Sequence, residues 1–111
     1  MGKYLILNTP TYTDSVSGLS SFEKERIGKI IDHLAEQGDK VGKPLSGLSF
    51  FREKKFNGNR LYFLVYPEWT TILVVAVGPK KVQQKIIREI ILRLPEYKIF
   101  VRKILLEKKL T

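Results

Sequence analysis

The N-terminal part of the chain has apolar positions at two spacings, which predict a strand and then a helix. Residues 3–8 have a strand-like composition, whereas residues 9–18 are rich in Thr, Ser, Pro and Gly and favour a loop. Ser20 lies three residues before Glu23, the capping-box pattern that begins many helices. Gly38 suits the position just after the last turn of this helix. The predicted apolar stripe consists of Ile27, Ile30, Ile31 and Leu34.

The middle of the chain predicts three strands. Residues 41–49 are rich in Gly, Pro and Ser and favour a connection. Asn57-Gly58 is the strongest signal for a tight hairpin turn, because both central positions of a type I′ turn need positive φ. The last strand is apolar on both faces, which is typical of a strand inside a sheet. The three predicted strands are residues 50–56, 59–66 and 71–77.

The C-terminal part predicts two helices. Pro79 suits the first position of a helix, and Pro95 interrupts the pattern and begins a second one. The stripe of the first comprises Val82, Ile86, Ile90 and Leu94, widened by Ile87 and Ile91. The stripe of the second comprises Tyr97, Phe100, Val101, Ile104 and Leu105. The apolar residues that lie off this stripe are Ile99, Leu106 and Leu110.

The predicted order of elements is β-α-β-β-β-α-α, which indicates the α+β class. We expect a small, mostly antiparallel sheet of about four strands packed by helices. The length predicts a single domain over residues 1–111, with residues 95–111 as an extra C-terminal helix.

Composition narrows the class of partner. The chain of 111 residues has 20 Lys+Arg, 11 Asp+Glu, one His, no Cys and a net charge of +9. The absence of Cys excludes disulfides and thiolate sites, and a single His excludes a mechanism with paired histidines. No apolar run is long enough to cross a bilayer, so we expect a cytoplasmic protein with no membrane partner. The net charge is negative over residues 1–39 and positive over the rest of the chain. This asymmetry favours one electropositive face for an anionic partner over a generally solvated surface.

The Asn57-Gly58 turn also predicts the hairpin register. Phe56 then pairs with Asn59, Lys55 with Arg60, Glu53 with Tyr62, and Phe51 with Leu64. Alternation places on the core face Phe56, Leu61, Phe63 and Val65. It places on the other face Glu53, Lys55, Arg60, Tyr62 and Tyr66. Arg52 and Lys54 fall on the core side, so they must reach around an edge or the strand must bulge.

Continued into the last strand, the register gathers cations at one end of the sheet. Tyr66 faces Thr71, and Arg60 falls beside Val77, just before Lys80 and Lys81. Cations can hold phosphate groups and a tyrosine can stack on a base, so this edge suits an RNA backbone. The alternative is a sheet face whose charges are simply solvated.

Four ordered motifs resemble the RelE/ParE superfamily of bacterial and archaeal type II toxins. They are KPLSGL at residues 43–48, REKKF at 52–56, NRLYFLVY at 59–66 and VAVGPKK at 75–81. With the preceding helix, the resemblance extends from about residue 27 to residue 84. It implies a microbial-ribonuclease-like fold and a toxin kept silent by a cognate antitoxin.

For RelE-like members, the resemblance implies a ribosome-dependent endoribonuclease that cuts mRNA and inhibits translation, without a metal or other cofactor. The ribose 2′-OH attacks the adjacent phosphate. Arg60 corresponds to the arginine that holds the scissile phosphate, and Glu53 to a candidate general base. The other basic catalytic positions correspond to Lys55 and to Lys80 or Lys81. Further RNA-binding positions are expected at Arg52, Lys54, Tyr62 and Tyr66.

The chain departs from this family after its last strand, where many ribonuclease members carry a His or Tyr proton donor. The nearest later tyrosine is Tyr97. A lysine or Tyr62 can act instead, or the chain is a ParE-like toxin that acts on DNA gyrase, or an inactive module that binds RNA or protein. The expected partners are an antitoxin, the ribosome and mRNA. The off-stripe residues of the last helix offer a surface for an antitoxin helix or for a homodimer.

Overall fold

The computed structural model describes residues 3–110, with the side chains of residues 3–108. Its elements are β1 (Leu5–Asn8), α1 (Pro10–Ser17), α2 (Ser21–Gln37), β2 (Lys43–Leu45), β3 (Leu48–Phe56), β4 (Asn59–Tyr66), β5 (Thr71–Pro79), α3 (Gln83–Leu92) and α4 (Leu94–Leu110). The sheet has the order β1-β5-β4-β3-β2, in which β1 is parallel to β5 and every other pair is antiparallel. The α+β class is confirmed, with five strands in place of about four.

Two elements lie where loops were predicted, and the first is α1. The side chain of Thr9 caps this helix by accepting a hydrogen bond from the Tyr12 N–H at 3.0 Å, and Pro10 follows at the first helical position. The Thr9 hydroxyl also donates to the Val75 carbonyl at 2.6 Å, which ties α1 to β5. The loop prediction was wrong because Thr and Pro, taken there as loop formers, serve here as a cap and a helix start.

The second is β2, which forms a hairpin with β3. Ser46 and Gly47 both have positive φ, 53° and 71°, as a two-residue turn requires. Pro44 is tolerated because β2 lies at the edge of the sheet. The connection predicted at residues 41–49 is therefore partly strand.

Helix α2 begins as predicted at its capping box. Glu23 N–H donates to Ser20 Oγ at 3.2 Å, and Ser20 N–H donates to Glu23 Oε1 at 3.1 Å. Gly38 ends the helix with a φ of 46°. Pro79, in contrast, is the last residue of β5, and a 3₁₀ turn at Lys80–Val82 precedes α3. The predicted helix start was therefore too early.

The predicted register of β3 and β4 is confirmed at all four pairs, including Glu53 with Tyr62 and Lys55 with Arg60. Tyr66 faces Thr71, also as predicted. The β4–β5 register shifts by one residue between Tyr62 and Phe63, and Arg60 therefore pairs with Gly78 and not with Val77.

Both faces of the sheet are covered by helices. On the α2 face lie the four predicted core residues, Phe56, Leu61, Phe63 and Val65. On the opposite face, α3 and α4 pack on a cluster that includes Tyr62, Tyr66, Ile90 and Val101. The face that alternation predicted to be polar and aromatic is thus covered, because the apolar stripes of α3 and α4 pack on it. Within residues 3–110, no helix is long and apolar enough to cross a membrane.

Helix α4 packs with its predicted stripe inward. Val101 is fully buried, and the other members of the stripe are partly buried against the same cluster. Ile99 and Leu106 are 68% and 53% exposed, as expected for residues off the stripe. Leu110 lies outside the described side chains.

Candidate functional site

A carboxylate and a guanidinium are buried together at one end of the sheet. Glu53 on β3 and Arg60 on β4 are only 3% and 7% exposed. Arg60 Nε lies 3.6 Å from Glu53 Oε1, an ion pair too long for a hydrogen bond. Gln83, the first residue of α3, donates from its Nε2 to the same Oε1 at 2.7 Å. The carboxylate oxygen is therefore held by an amide from α3, while the guanidinium lies just beyond bonding distance.

Two buried polar atoms at this position have no hydrogen-bond partner among the described residues, Arg60 Nε and Tyr62 Oη. Tyr62 lies directly opposite Glu53 in the β3–β4 ladder and is fully buried. Burial raises the pKa of Tyr62 to about 12, with a further contribution from the charge of Glu53 and an opposing one from Arg60. The phenol therefore keeps its proton at neutral pH. Unpaired buried donors are rare in proteins, so each of these two atoms calls for an explanation.

Three exposed lysines lie at the same end of the sheet as this buried pair. Lys55 pairs with Arg60 in the ladder, and its side chain is exposed. Lys80 and Lys81 are exposed on the 3₁₀ turn that follows β5, whose Gly78 pairs with Arg60. The predicted catalytic residues therefore gather at one sheet end, with Glu53 and Arg60 inside and the three lysines at the surface.

Arg52 lies apart from this group and has a structural role. Its guanidinium donates to the carbonyls of Val41 at 2.8 Å, Gly42 at 2.9 Å and Ser49 at 3.2 Å. The side chain reaches the edge of the sheet, one of the two arrangements that the register allowed, and joins residues 41–42 to β3. Three of the five guanidinium N–H groups are used in this way, and RNA binding by Arg52 stays a prediction.

The other residues predicted to bind RNA, Lys54, Tyr62 and Tyr66, lie on the α2 side of the sheet or are buried. Lys54 projects to the α2 side of the sheet, where it lines a cavity with Ile30 and Phe56. Tyr66 is 7% exposed and its ring stacks on Trp69 with centroids 5.5 Å apart. Because Tyr62 and Tyr66 are both covered by α3 and α4, neither can stack on a base in this conformation. RNA binding by Tyr62 and Tyr66 therefore stays a prediction, and it would require a change at α3 or α4.

Gln83 is the residue of this group that sequence reasoning missed. A neutral amide carries no chemical signal of its own, and Gln83 is one of two successive glutamines. Only its position, directly after the basic turn, pointed to this end of the sheet. Among residues 3–110, no cluster of three or more His, Asp or Glu side chains is arranged to hold a metal ion.

Solved structures of the same fold are found by comparison of structures. No family model matches the chain, and no curated protein matches its sequence. A mutant of the Escherichia coli toxin RelE in the free state is 20% identical, with a TM-score of 0.66 over 81% of this chain and 99% of that one. A chain of the RelBE2 toxin-antitoxin complex from Mycobacterium tuberculosis is 20% identical, with a TM-score of 0.62 over 70% and 99%. A chain of the archaeal RelE-RelB complex from Pyrococcus horikoshii is 14% identical, with a TM-score of 0.61 over 70% and 96%.

These likenesses define the class of fold. The chain is a small α+β protein whose sheet is enclosed between α2 and the α3–α4 pair. More particularly, it has the fold of the RelE toxins, which confirms the predicted resemblance at the level of the fold.

Proposed function

We propose that this chain is the toxin of a type II toxin–antitoxin system and acts as a metal-independent endoribonuclease on ribosome-bound mRNA. The observation that carries the proposal is the buried Glu53–Arg60 pair with Lys80 and Lys81 beside it. A guanidinium with an unused Nε donor is suited to a phosphate, because Arg binds phosphate oxygens through several N–H groups. The fold shared with RelE toxins supports the same assignment.

Cleavage by such a site begins with attack of a ribose 2′-oxygen on the adjacent phosphorus. Glu53 takes the 2′ proton as the general base. Arg60 and the neighbouring lysines stabilise the negative charge that develops on the phosphorane oxygens. Lys80 or Lys81 gives a proton to the departing 5′-oxygen. The products are a 2′,3′-cyclic phosphate and a free 5′-hydroxyl.

Access to the carboxylate requires a change at α3, because Gln83 occupies Glu53 Oε1 and leaves Glu53 only 3% exposed. Tyr62 is a poor proton donor in comparison, since its hydroxyl is buried and its pKa is raised to about 12. We therefore assign the donor role to the exposed lysines.

The test combines growth and cleavage measurements. We expect expression of the chain to arrest bacterial growth, and the purified protein with ribosomes to cut mRNA and leave 2′,3′-cyclic phosphate ends. Arg60→Gln and Glu53→Gln each lower cleavage by about 100-fold, the usual effect of removing one group that stabilises a transition state. Arg102→Gln, a change of equal charge on the exposed face of α4, is the matched control and leaves cleavage within about twofold.

Uncut mRNA in the presence of ribosomes would reject the enzymatic assignment. Because a buried substitution can unfold a protein, each variant is first compared with the original chain by circular dichroism and urea unfolding. Arg60→Lys gives a second measurement, since it keeps the charge but loses the planar set of donors.

A second candidate is a toxin of the same fold that inhibits DNA gyrase without cleaving RNA. Burial of Glu53 and Arg60 favours it, and so does the position of the single histidine, His33, on α2 across the sheet from Glu53. A supercoiling assay separates the two, because only this candidate predicts loss of gyrase activity at toxin concentrations that leave mRNA intact.

We also propose a cognate antitoxin as the protein partner. Ile99 and Leu106 expose apolar side chains on α4, and the solved structures of this fold include complexes of RelE with RelB. Co-expression of an open reading frame adjacent to this gene tests the proposal, because a cognate antitoxin restores growth. Ile99→Ser with Leu106→Ser is expected to weaken that rescue. Size-exclusion chromatography of the chain alone tests the alternative homodimer.

A further inference from the structure

Helix α2 presents one face that carries an aromatic residue and three basic residues. Phe22, Arg26, Lys29 and His33 follow one another at intervals of four, three and four residues, which places them along one side of a helix. All four are exposed, and Phe22 is 62% exposed. The apolar stripe of α2, with Ile27, Ile30 and Leu34, faces the sheet instead.

Two lysines of β3 meet this helix face across a cavity. The cavity has a volume of about 280 Å³ and is lined by Arg26, Lys29, Ile30, His33, Lys54, Lys55 and Phe56. We call the basic side chains of this lining, together with Phe22, the α2–β3 basic face. It does not include the Glu53–Arg60 pair, but it shares Lys55 with the candidate active site.

The basic side chains of this face are not held in ion pairs by the described residues. None of its five basic side chains forms an ion pair or hydrogen bond with another described residue. Glu23, the carboxylate one turn before Ile27, is occupied by Asn59 Nδ2 at 2.9 Å and by its own capping box. Glu25 and Asp32 lie four residues before and three residues after Lys29, so both neighbour the face, but neither forms an ion pair with it among the described residues. Gathering unpaired cations is unfavourable unless an anion binds among them.

The face continues to the candidate active site. Lys54 and Lys55 also line an adjoining cavity of about 360 Å³, together with Gly42, Lys43 and Glu53. Lys54 and Lys55 thus connect the basic residues of α2 to Lys43 on the edge strand β2 and to the carboxylate of Glu53.

We propose that the α2–β3 basic face is a second RNA-binding surface, which holds the phosphates of a single strand and stacks a base on Phe22. Spaced cations beside an exposed aromatic ring are the combination that binds single strands without reading their sequence. The choice of RNA as the polyanion rests on the proposed function, but the binding does not require cleavage. An acidic protein segment is the competing occupant, and the test includes it.

The probe is a fluorescent oligouridine of about 12 nucleotides with 2′-O-methyl groups, which cannot undergo 2′-OH attack. Fluorescence anisotropy measures its affinity for the full chain between about 50 and 300 mM KCl. Each phosphate neutralised on a single strand contributes about −0.7 to the slope of log K against log salt. Arg26→Gln with Lys29→Gln should therefore reduce the slope by about 1.4 in magnitude and lower the affinity about tenfold at low salt.

Two further variants separate the contributions. Phe22→Ala should lower the affinity at least about fivefold with the slope unchanged, because stacking carries no charge. Arg102→Gln with Lys103→Gln removes the same charge from α4 and is the matched control, with an expected change below about twofold. All of these residues are exposed, so the fold should tolerate the substitutions.

Equal losses in the α2 and α4 double variants would overturn the proposal, since binding would then follow net charge alone. Tighter binding of a polyglutamate peptide than of the oligouridine would also overturn it in favour of a protein partner. Cleavage of unmodified mRNA is measured in parallel. If the α2 variants weaken binding but the original chain does not cleave mRNA, this proposal is supported and the proposed enzyme is rejected. If the chain cleaves mRNA but the α2 variants bind RNA as well as the original chain does, the enzyme is supported and this proposal is rejected.

Discussion

Replacing Tyr62 by Phe tests whether its buried hydroxyl is a cost to the fold or a part of the chemistry. The ring is fully buried between the sheet and α3–α4, and its Oη has no hydrogen-bond partner among the described residues. A buried hydroxyl without a partner destabilises the folded state by about 1–3 kcal/mol, because it has lost its hydrogen bonds to water. Tyr62→Phe removes the oxygen and keeps the ring. We therefore expect the free energy of unfolding to rise by about 1 kcal/mol at pH 7.

The same substitution should matter more at alkaline pH. The pKa of Tyr62 is raised to about 12 in the folded chain, while an unfolded tyrosine titrates near 10. The folded state therefore holds more protons between these values, and its stability falls as the pH rises from about 10 towards 12. At pH 11 this loss is about 1.4 kcal/mol, and Tyr62→Phe removes it. The advantage of the variant should thus grow to about 2–3 kcal/mol at pH 11.

Urea unfolding followed by the fluorescence of Trp69, the single tryptophan, measures both effects. The m-value should not change, since the buried surface is the same. Tyr4→Phe, at a partly exposed ring, is the control and should stay within about 0.5 kcal/mol at pH 7. A less stable Tyr62→Phe protein would show that the hydroxyl has a favourable partner in solution. Loss of mRNA cleavage with the fold intact would instead make Tyr62 the proton donor, against our assignment to the lysines.

Three further substitutions, with Gly47→Ala as a control for the first, test how the site is held. Gly42→Ala should destabilise by about 2 kcal/mol in urea unfolding, because φ is +75° and a Cβ would press on the Glu53 carbonyl. Gly47→Ala, at φ +71° in open space, should cost only about 1 kcal/mol and isolates the steric part. Arg52→Gln loses charged hydrogen bonds to three carbonyls and should destabilise by about 2 kcal/mol, with the binding of 2′-O-methyl RNA within about twofold. Gln83→Glu places a second carboxylate on Glu53, and its stability deficit in thermal unfolding at pH 7 should shrink as the pH is lowered towards about 4.

Local turn chemistry explains why the hairpin could be predicted and the next strand pair only in part. Asn57 and Gly58 both adopt positive φ, and the ladder on either side follows from that turn alone. In β5, every residue from Thr71 to Gly78 is buried, so no alternation of polar and apolar side chains marks the register. The one-residue shift beside Tyr62 therefore left no trace in the sequence, and Arg60 came to lie next to Gly78.

The position of α3 and α4 was the larger unknown. Their apolar stripes indicated that each helix covers something, but a stripe does not specify which surface it covers. Alternation along the hairpin assigned the core to one face, and the charged residues of the opposite face gave no signal that helices also cover it. Only the tertiary packing decides that Tyr62 and Tyr66 are core residues, and that Gln83 meets Glu53.

The buried pair is hard to explain by stability alone. Glu53 and Arg60 approach no closer than 3.6 Å. In a buried ion pair with imperfect geometry, the attraction between the charges is smaller than the free energy lost when both are removed from water. Tyr62, which lies opposite Glu53 in the ladder, belongs to the apolar cluster under α3 and α4, so a hydrophobic pair at the two positions could extend that packing. Buried charges with an unpaired donor are expected at functional sites, where proteins depart from apolar packing and complete hydrogen bonding. For Arg60 we propose that this function is the binding of an anion, and the exposed lysines at the same end of the sheet favour a phosphate.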